Sequence, residues 1–426
     1  MRLRAVIAYS LRRWNRICPG KRFRSIGGSK LSSATVSLPV IVGGHICLDI
    51  IPSIPNGGFS MVPGKLLNIG KAVLSTGGAV ANTGLALQRL GMPVKLMGKI
   101  GNDIFGNAIL SMLREVEYSL ADGMIIANGE STSYSIVLSP PHVDRMFLHS
   151  TGANDTFEAS DIPIEALEEA SLFHFGYPPL MRRMCENGGA EIIQLMKRAK
   201  EAGVTTSLDM AKPDPEGDTG KLDWRPILSK LLPFVDLFLP SIEEILYMLR
   251  RDQYEELKRK RGSEQLVDHI DADMLQDLSS ELLAMGAAVV VLKLGEHGLY
   301  MRSTAQESRL NGAGRYCPLH VGEWLDRELY IPCFQVEVAG TTGAGDCTIA
   351  GFLAAFIQGL KPEETLIAAA GTGACNVEQP DATSGIPTWG QVQSRIAFDW
   401  KQHKPIIQLP GFHEYPYNQI TLYARI

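Results

Sequence analysis

Apolar positions along this chain keep two rhythms. Short runs rich in aliphatic or β-branched residues, among them Leu38-Pro39-Val40-Ile41-Val42-Gly43-Gly44 and residues 94–97, 172–175, 204–208, 235–239 and 288–294, have the length of strands. Such runs suit strands buried on both faces of a sheet. Helix-length segments lie between them: one through Leu85, Leu87 and Leu90 that stops at Gly91, then residues 190–202 and 242–249, then one in which Ile349, Phe352, Leu353 and Phe356 recur at i, i+3, i+4, i+7. Strands separated by helices require right-handed βαβ crossovers. The predicted fold is therefore α/β, a doubly wound, mainly parallel sheet flanked by helices.

Two stretches break the alternation. From Gly123 to Ser150, the runs Met124-Ile125-Ile126-Ala127, Ser133-Tyr134-Ser135-Ile136-Val137-Leu138 and Met146-Phe147-Leu148 are parted by Gly, Pro and Asp, with no helix-length segment among them. That is the pattern of a small β unit, with a meander on the main sheet as the alternative. Residues 250–281 are charged and helix-prone, and read as a solvated excursion from the body.

Composition narrows the picture. The chain of 426 residues, 45% apolar and 20% charged, is long enough for one large α/β domain with additions. A net charge of -5 gives no general attraction to nucleic acid or an anionic membrane. No apolar run reaches the ~20 residues that span a bilayer. Seven cysteines are scattered without CxxC or His-paired spacing, the usage of reduced thiols in a cytoplasmic compartment. Residues 1–37 stand apart, because Arg2, Arg4, Arg12, Arg13, Arg16, Arg22 and Arg24 crowd the start and the first acidic residue is Asp49. That leader reads either as an organelle import signal or as a basic extension without fixed structure.

Candidate chemistry concentrates at Gly340-Thr341-Thr342-Gly343-Ala344-Gly345-Asp346, which runs straight into a predicted helix. A glycine turn ahead of a helix presents unpaired backbone N–H groups at the positive end of the helix dipole, where a phosphate or a developing oxyanion fits. A carboxylate beside that anion would be repelled if it were structural, but a base for an incoming hydroxyl belongs there. Asp at a helix start is also a common cap. No Gly-Lys-Ser/Thr follows, so the turn is not a Walker A loop, and its spacing is not the dinucleotide GxGxxG. Asp49 follows the first strand, where open α/β sheets bind ligands and where turn residues are also common. Gly77-Gly78-Ala79-Val80-Ala81-Asn82 opens the helix that ends at Gly91, and Gly98-Lys99-Ile100-Gly101-Asn102-Asp103-Ile104-Phe105-Gly106 follows the next strand.

The heptapeptide with its helix resembles the C-terminal signature of the ribokinase-like (PfkB) family of carbohydrate kinases. The GGAVAN, RLG and GKIGNDIFG pieces resemble the N-terminal signature, in the family's order. The resemblance covers residues 38–400 and leaves 401–426 as a C-terminal tail. It implies a kinase domain with a small β lid, drawn from about 45–60 and 121–150, that transfers the γ-phosphoryl group of ATP to a hydroxyl of a sugar or polyol with Mg²⁺. Asp346 is implied as general base, with Gly343, Ala344 and Gly345 as anion hole. Asp49, Gly77, Gly78 and Asn82 are implied sugar contacts. Ser241-Ile242-Glu243-Glu244 stands where the family has Asn-x-x-Glu, which implies Glu244 near Mg²⁺ through water and Ser241 near the phosphates. Lys293-Leu294-Gly295-Glu296-His297-Gly298 resembles the turn that borders the nucleotide. Lys293, Gly295 and Gly298, with Thr342 and Asn376, are thus implied nucleotide contacts, and the loop Asp381-Ala382-Thr383-Ser384-Gly385 is implied to enclose adenine. His297 reads as a surface residue, and a homodimer through the lid is a further implication.

Two positions depart from the family pattern. Gly340 replaces an Asp that helps bind a monovalent cation, which leaves potassium dependence open. Asp209-Met210-Ala211-Lys212-Pro213 stands in place of Asp-x-Asn-x-Arg. A nucleoside (adenosine-like) kinase, marked by aromatic stacking from the lid, is the nearest alternative. A non-catalytic sugar sensor on the same fold is another, though it would not need Asp346 beside an intact anion turn.

Overall fold

Val40 and Val42 enter one apolar core and Ile41 enters another, so the first strand sits in the middle of a sheet covered on both faces. Val289 and Val291 against Val290 and Leu292 repeat the division two hundred residues on. Each such side chain contributes roughly 1.5–3 kcal/mol by burial, so a charge placed at any of them would unseat a strand. These features come from a computed structural model that describes residues 38–54, 63–139, 146–261, 266–315, 320–398 and 400–425. The expected leader, residues 1–37, and the lid positions 55–60 and 140–145 lie outside the described residues.

In chain order the strands are β1 (Val40–Gly44), β2 (Cys47–Pro52), β3 (Ala72–Gly77), β4 (Val94–Gly101), β5 (Ile125–Ala127), β6 (Tyr134–Leu138), β7 (Met146–Ser150), β8 (Leu172–Gly176), β9 (Thr205–Leu208), β10 (Leu237–Phe238), β11 (Val289–Lys293), β12 (Leu299–Ser303), β13 (Glu328–Ile331), β14 (Phe412–Tyr417) and β15 (Ile420–Arg425). The main sheet runs β5-β4-β1-β8-β9-β10-β11-β12-β13-β15-β14. Neighbours are parallel from β5 to β11 and antiparallel beyond. Helices Ala79–Arg89, Ile104–Val116, Ala344–Ile357 and Pro362–Val377 pack into one core, and Arg182–Glu201, Trp224–Leu231, Ile242–Leu249 and Ala272–Ala284 into the other. Among the described residues no helix is long and apolar enough to cross a membrane.

The lid is a separate four-stranded sheet, β3-β2-β6-β7. Its composition differs from the sequence expectation in two ways. Residues 124–127 do not belong to it, because Lys99 to Gly101 of β4 pair with β5 and carry that run onto the edge of the main sheet. Residues 72–77 do belong to it, since β3 pairs antiparallel with β2; its Ser-Thr-Gly end hid the strand in the sequence. The charged stretch 250–281 also departs from expectation. Tyr254, Leu266, Ile270, Leu275 and Leu278 are all buried, so much of it is a crossover helix layer rather than a solvated excursion. The C-terminal residues form the β14–β15 hairpin, turned at the left-handed Asn418, and β15 pairs with β13.

Gly44 and Gly176 stand side by side at the carboxyl ends of β1 and β8, with Gly98 of β4 on the other side of Gly44. A Cβ on Gly176 would lie 2.2 Å from that of Ala79. Glycine there lets helix Ala79–Arg89 start directly over the strand ends, which carries Asn82 to the rim where open α/β sheets hold ligands.

Candidate active site

Gly343 is the N-cap of helix Ala344–Ile357, left-handed at φ 72, and a Cβ on it would sit 2.8 Å from the Ala382 carbonyl oxygen. Glycine is therefore required for the turn, and the amides of Gly345 and Asp346 fall in the first helical turn, where an α-helix offers its donors no acceptor of its own. Asp346 is 3% exposed. Its Oδ2 accepts from Asn82 Nδ2 at 3.0 Å and its Oδ1 from Thr83 Oγ1 at 3.3 Å, while the Tyr177 hydroxyl donates to both oxygens at 2.8 and 2.9 Å. Burial pushes the carboxyl above the usual Asp range, opposed by the Asn82 donor, the Lys293 charge and the Tyr177 and Thr83 donors. The base and the substrate helix implied by the two signatures are thus in direct contact.

The lid supplies the second wall. Asp49 on β2 lies so close to Gly77 that a Cβ there would be 2.3 Å from Asp49 Oδ2. Gly78, left-handed at φ 85, leaves room for His45, whose Nδ1 would stand 2.6 Å from a Cβ at that position. The Cys47 thiol donates to Asp49 Oδ1 at 3.4 Å, and His149 on β7 bridges Ser135 Oγ (2.9 Å) and His45 Nε2 (3.3 Å). Burial raises the Asp49 carboxyl and drives His45 down to about 3, with His149 adding to the effect on His45. Asn82 Oδ1 and His45 Nδ1 are buried with no hydrogen-bond partner among the described residues.

At the positions implied as nucleotide contacts, Lys293 ends β11 with its Nζ 2.6 Å from Asp209 Oδ1 and 3.7 Å from where a Cβ on Gly345 would be. Burial disfavours its charge, but Asp209 and Glu244 outweigh that and hold the ammonium charged. Burial raises Asp209 and Glu244 alike, against the pull of Lys293. Glu244 forms a capping box with Ser241, accepting from the Ser241 amide at 2.8 Å while Ser241 Oγ accepts from the Glu244 amide at 3.3 Å. Ser241 therefore serves the helix start. Lys293, Thr341, Ala344 and Gly345, with Gly295 and Gly298, line a cavity of about 710 Å³.

Three expected contacts are placed differently. Thr341, not Thr342, lines the cavity. Asn376 is fully buried and donates to the Ala382 carbonyl at 2.7 Å, so it shapes the 381–385 loop instead of facing a base. That loop packs behind Gly343, not around the cavity, because Ala382 is the neighbour that the glycine turn needs. His297 is not a surface residue: it is 3% exposed, with Nε2 2.9 Å from Asp268 Oδ1. Tyr177, Thr83 and the Lys293 ammonium were not singled out for these contacts. Tyr177, a non-glycine residue at φ 65 followed by two prolines, carries no signature that spacing could expose.

Comparison with known proteins agrees with this fold. The chain is 25% identical over 291 residues to an uncharacterized sugar kinase of Archaeoglobus fulgidus, spanning 68% of this chain and 94% of that protein. It is 24% identical over 369 residues to fructokinase-1 of Zea mays, spanning 84% and 97%. Arabidopsis thaliana ribokinase, in complex with ribose and ATP, superposes with a TM-score of 0.65 at 20% identity, covering 85% of this chain and 99% of that one, which shows the shared fold. Residues 41–389 match the pfkB family of carbohydrate kinases, and the chain belongs to that family.

Proposed function

We propose that this carbohydrate kinase moves the γ-phosphoryl group of ATP to a hydroxyl of a neutral sugar or polyol, with Asp346 as the base. The observation that carries the reading is the contact of Asp346 with Asn82 at a glycine-turned helix start, one residue from the cavity wall. The amides of Gly343, Ala344 and Gly345 would hold the transferring oxygens, and the Lys293 ammonium would offset their charge. Asp209, Glu244 and Asp346 set three carboxylates against one ammonium, a donor set that fits Mg²⁺, which Glu244 would hold through water. Bound there, Mg²⁺ would neutralise the phosphates of the nucleotide. Asp49, with the unpartnered Asn82 Oδ1 and His45 Nδ1, would be satisfied by hydroxyl groups. Both Asp346 oxygens are occupied, so the acceptor hydroxyl would displace the Tyr177 hydroxyl and pass its proton to the carboxylate.

One observation favours a nucleoside acceptor as a second reading. Phe147 alternates with His149 on β7, on the lid face that carries Asp49, and is 57% exposed. A phosphorylation assay with ATP over hexoses, pentoses and nucleosides tests both readings. Turnover of a sugar that Phe147→Ala preserves supports the first, and turnover confined to nucleosides and lost in Phe147→Ala supports the second. The opposite lid face carries Leu74, Ile50, Ile136 and Leu148 in one cross-strand row, which supports pairing of two lids as a homodimer.

A further inference from the structure

The C-terminal residues beyond the family match do more than extend the sheet. Residues 400–407 cross its end as a strap. Trp400 belongs to one apolar core, stacked on Phe334 at 4.5 Å between centroids, and Ile407, 6% exposed, belongs to the other. Between these anchors the backbone is tied to the 332–335 segment. The Gln335 amide donates to the Lys401 carbonyl at 2.8 Å, the His403 amide to the Cys333 carbonyl at 2.9 Å, and the Trp400 indole to the Gln335 carbonyl at 3.1 Å. A segment pinned on both sides holds its intervening side chains in place.

Those side chains share a cavity with Lys293 and Gly345: His403, Lys404 and Ile406 all line it. So does Val338, on the segment whose next residue, Ala339, donates its amide to Val377. Ile406 is 66% exposed and Val338 64%. Single exposed aliphatics are ordinary. Two of them on one cavity, each on backbone that is hydrogen-bonded nearby, leave apolar lining that nothing among the described residues covers. A flat heteroaromatic ring fits such a lining, and the phosphates of the same ligand would then reach Lys293, which lines the same cavity.

We propose that the strap is the outer wall of the nucleotide site, with Ile406 and Val338 clamping the base. This rests on the kinase reading and adds to it that the site is completed from outside the family domain. Titration calorimetry on the full chain tests it, with a non-hydrolysable ATP analogue and, as a base-free probe, inorganic tripolyphosphate. Removing the aliphatic cover forfeits part of a side chain's burial, so Ile406→Ser and Val338→Ser should each weaken the analogue about fivefold to tenfold and leave tripolyphosphate within about twofold. Gln408→Ser, exposed just past the strap and outside the cavity, should change neither. Melting temperatures should stay level, because both side chains already stand in solvent. Analogue binding that survives both substitutions within twofold overturns the clamp and leaves the kinase reading intact. A wild-type chain that binds neither probe overturns both.

Discussion

Replacing Tyr177 by Phe isolates one contact of the proposed base. The hydroxyl stands 2.8 and 2.9 Å from the two Asp346 oxygens, and the residue keeps a left-handed φ of 65 ahead of Pro178, a conformation that a following proline disfavours. Strain of roughly 1–3 kcal/mol is tolerated where the surroundings fix it, as the hydroxyl contact to a buried carboxylate does here. A hydrogen bond to a charged group is worth about 1.5–3 kcal/mol, and the phenol donates more strongly to the ionised carboxylate than to the neutral acid. Burial raises the Asp346 carboxyl and Tyr177 is among the groups that oppose the rise, so losing the hydroxyl raises it further. A base works deprotonated, so the acid limb of the kcat/KM profile should move to higher pH. On that limb the variant should be slower by roughly tenfold or more, at 1.4 kcal/mol per tenfold. On the alkaline plateau its rate should equal or exceed the wild type's, since the acceptor no longer competes with the phenol. Lys293, Asp209 and Glu244 face the site in both proteins, so the difference belongs to Tyr177. An acid limb that stays put, or moves to lower pH, would refute the reasoning.

Gly343→Ala should place a Cβ 2.8 Å from the Ala382 carbonyl at a left-handed residue, lowering the melting temperature by several degrees and weakening ATP; an unchanged melt and affinity would contradict the turn's role. Leu148→Glu puts a charge in the apolar row of the lid, so light scattering should report a dimer for the wild type and a monomer for the variant, and a wild-type monomer would contradict lid pairing. Burial, followed by the Lys293 charge, depresses His174 from 6.5 to about 3. Its contribution to stability is therefore complete above pH 6.5 and lost as pH falls toward 3, at up to ~1.4 kcal/mol per pH unit. His174→Gln should flatten the slope of unfolding free energy against pH by about that amount in denaturant titrations between pH 6 and 4, and an unaltered slope would exclude the effect.

The sheet was legible because its strands are short apolar runs whose alternate residues feed two cores, as Val40, Ile41 and Val42 do. The glycine turn before Asp346 and the Asn82 helix were legible because glycines are forced there by close approach, at Gly343 and Gly78, and such glycines leave a pattern. Strand β3 was hidden, since Ser75, Thr76 and Gly77 pair through backbone alone. Tyr177 and Lys293 come near Asp346 only through tertiary geometry, from strand ends far apart in sequence. Asn376 misled because a buried amide that ties a loop and one that reads a base look alike in a sequence.

The most direct test of the account is single-turnover phosphoryl transfer by Asp346→Asn, alongside the dissociation constant for the ATP analogue. The substitution keeps the shape of the side chain and removes its capacity to take a proton. Transfer should fall by about 10²–10⁴ while nucleotide affinity stays near the wild-type value. Transfer at the wild-type rate, with sugar and nucleotide both bound, would show that the proton leaves by another route and that the central assignment is wrong.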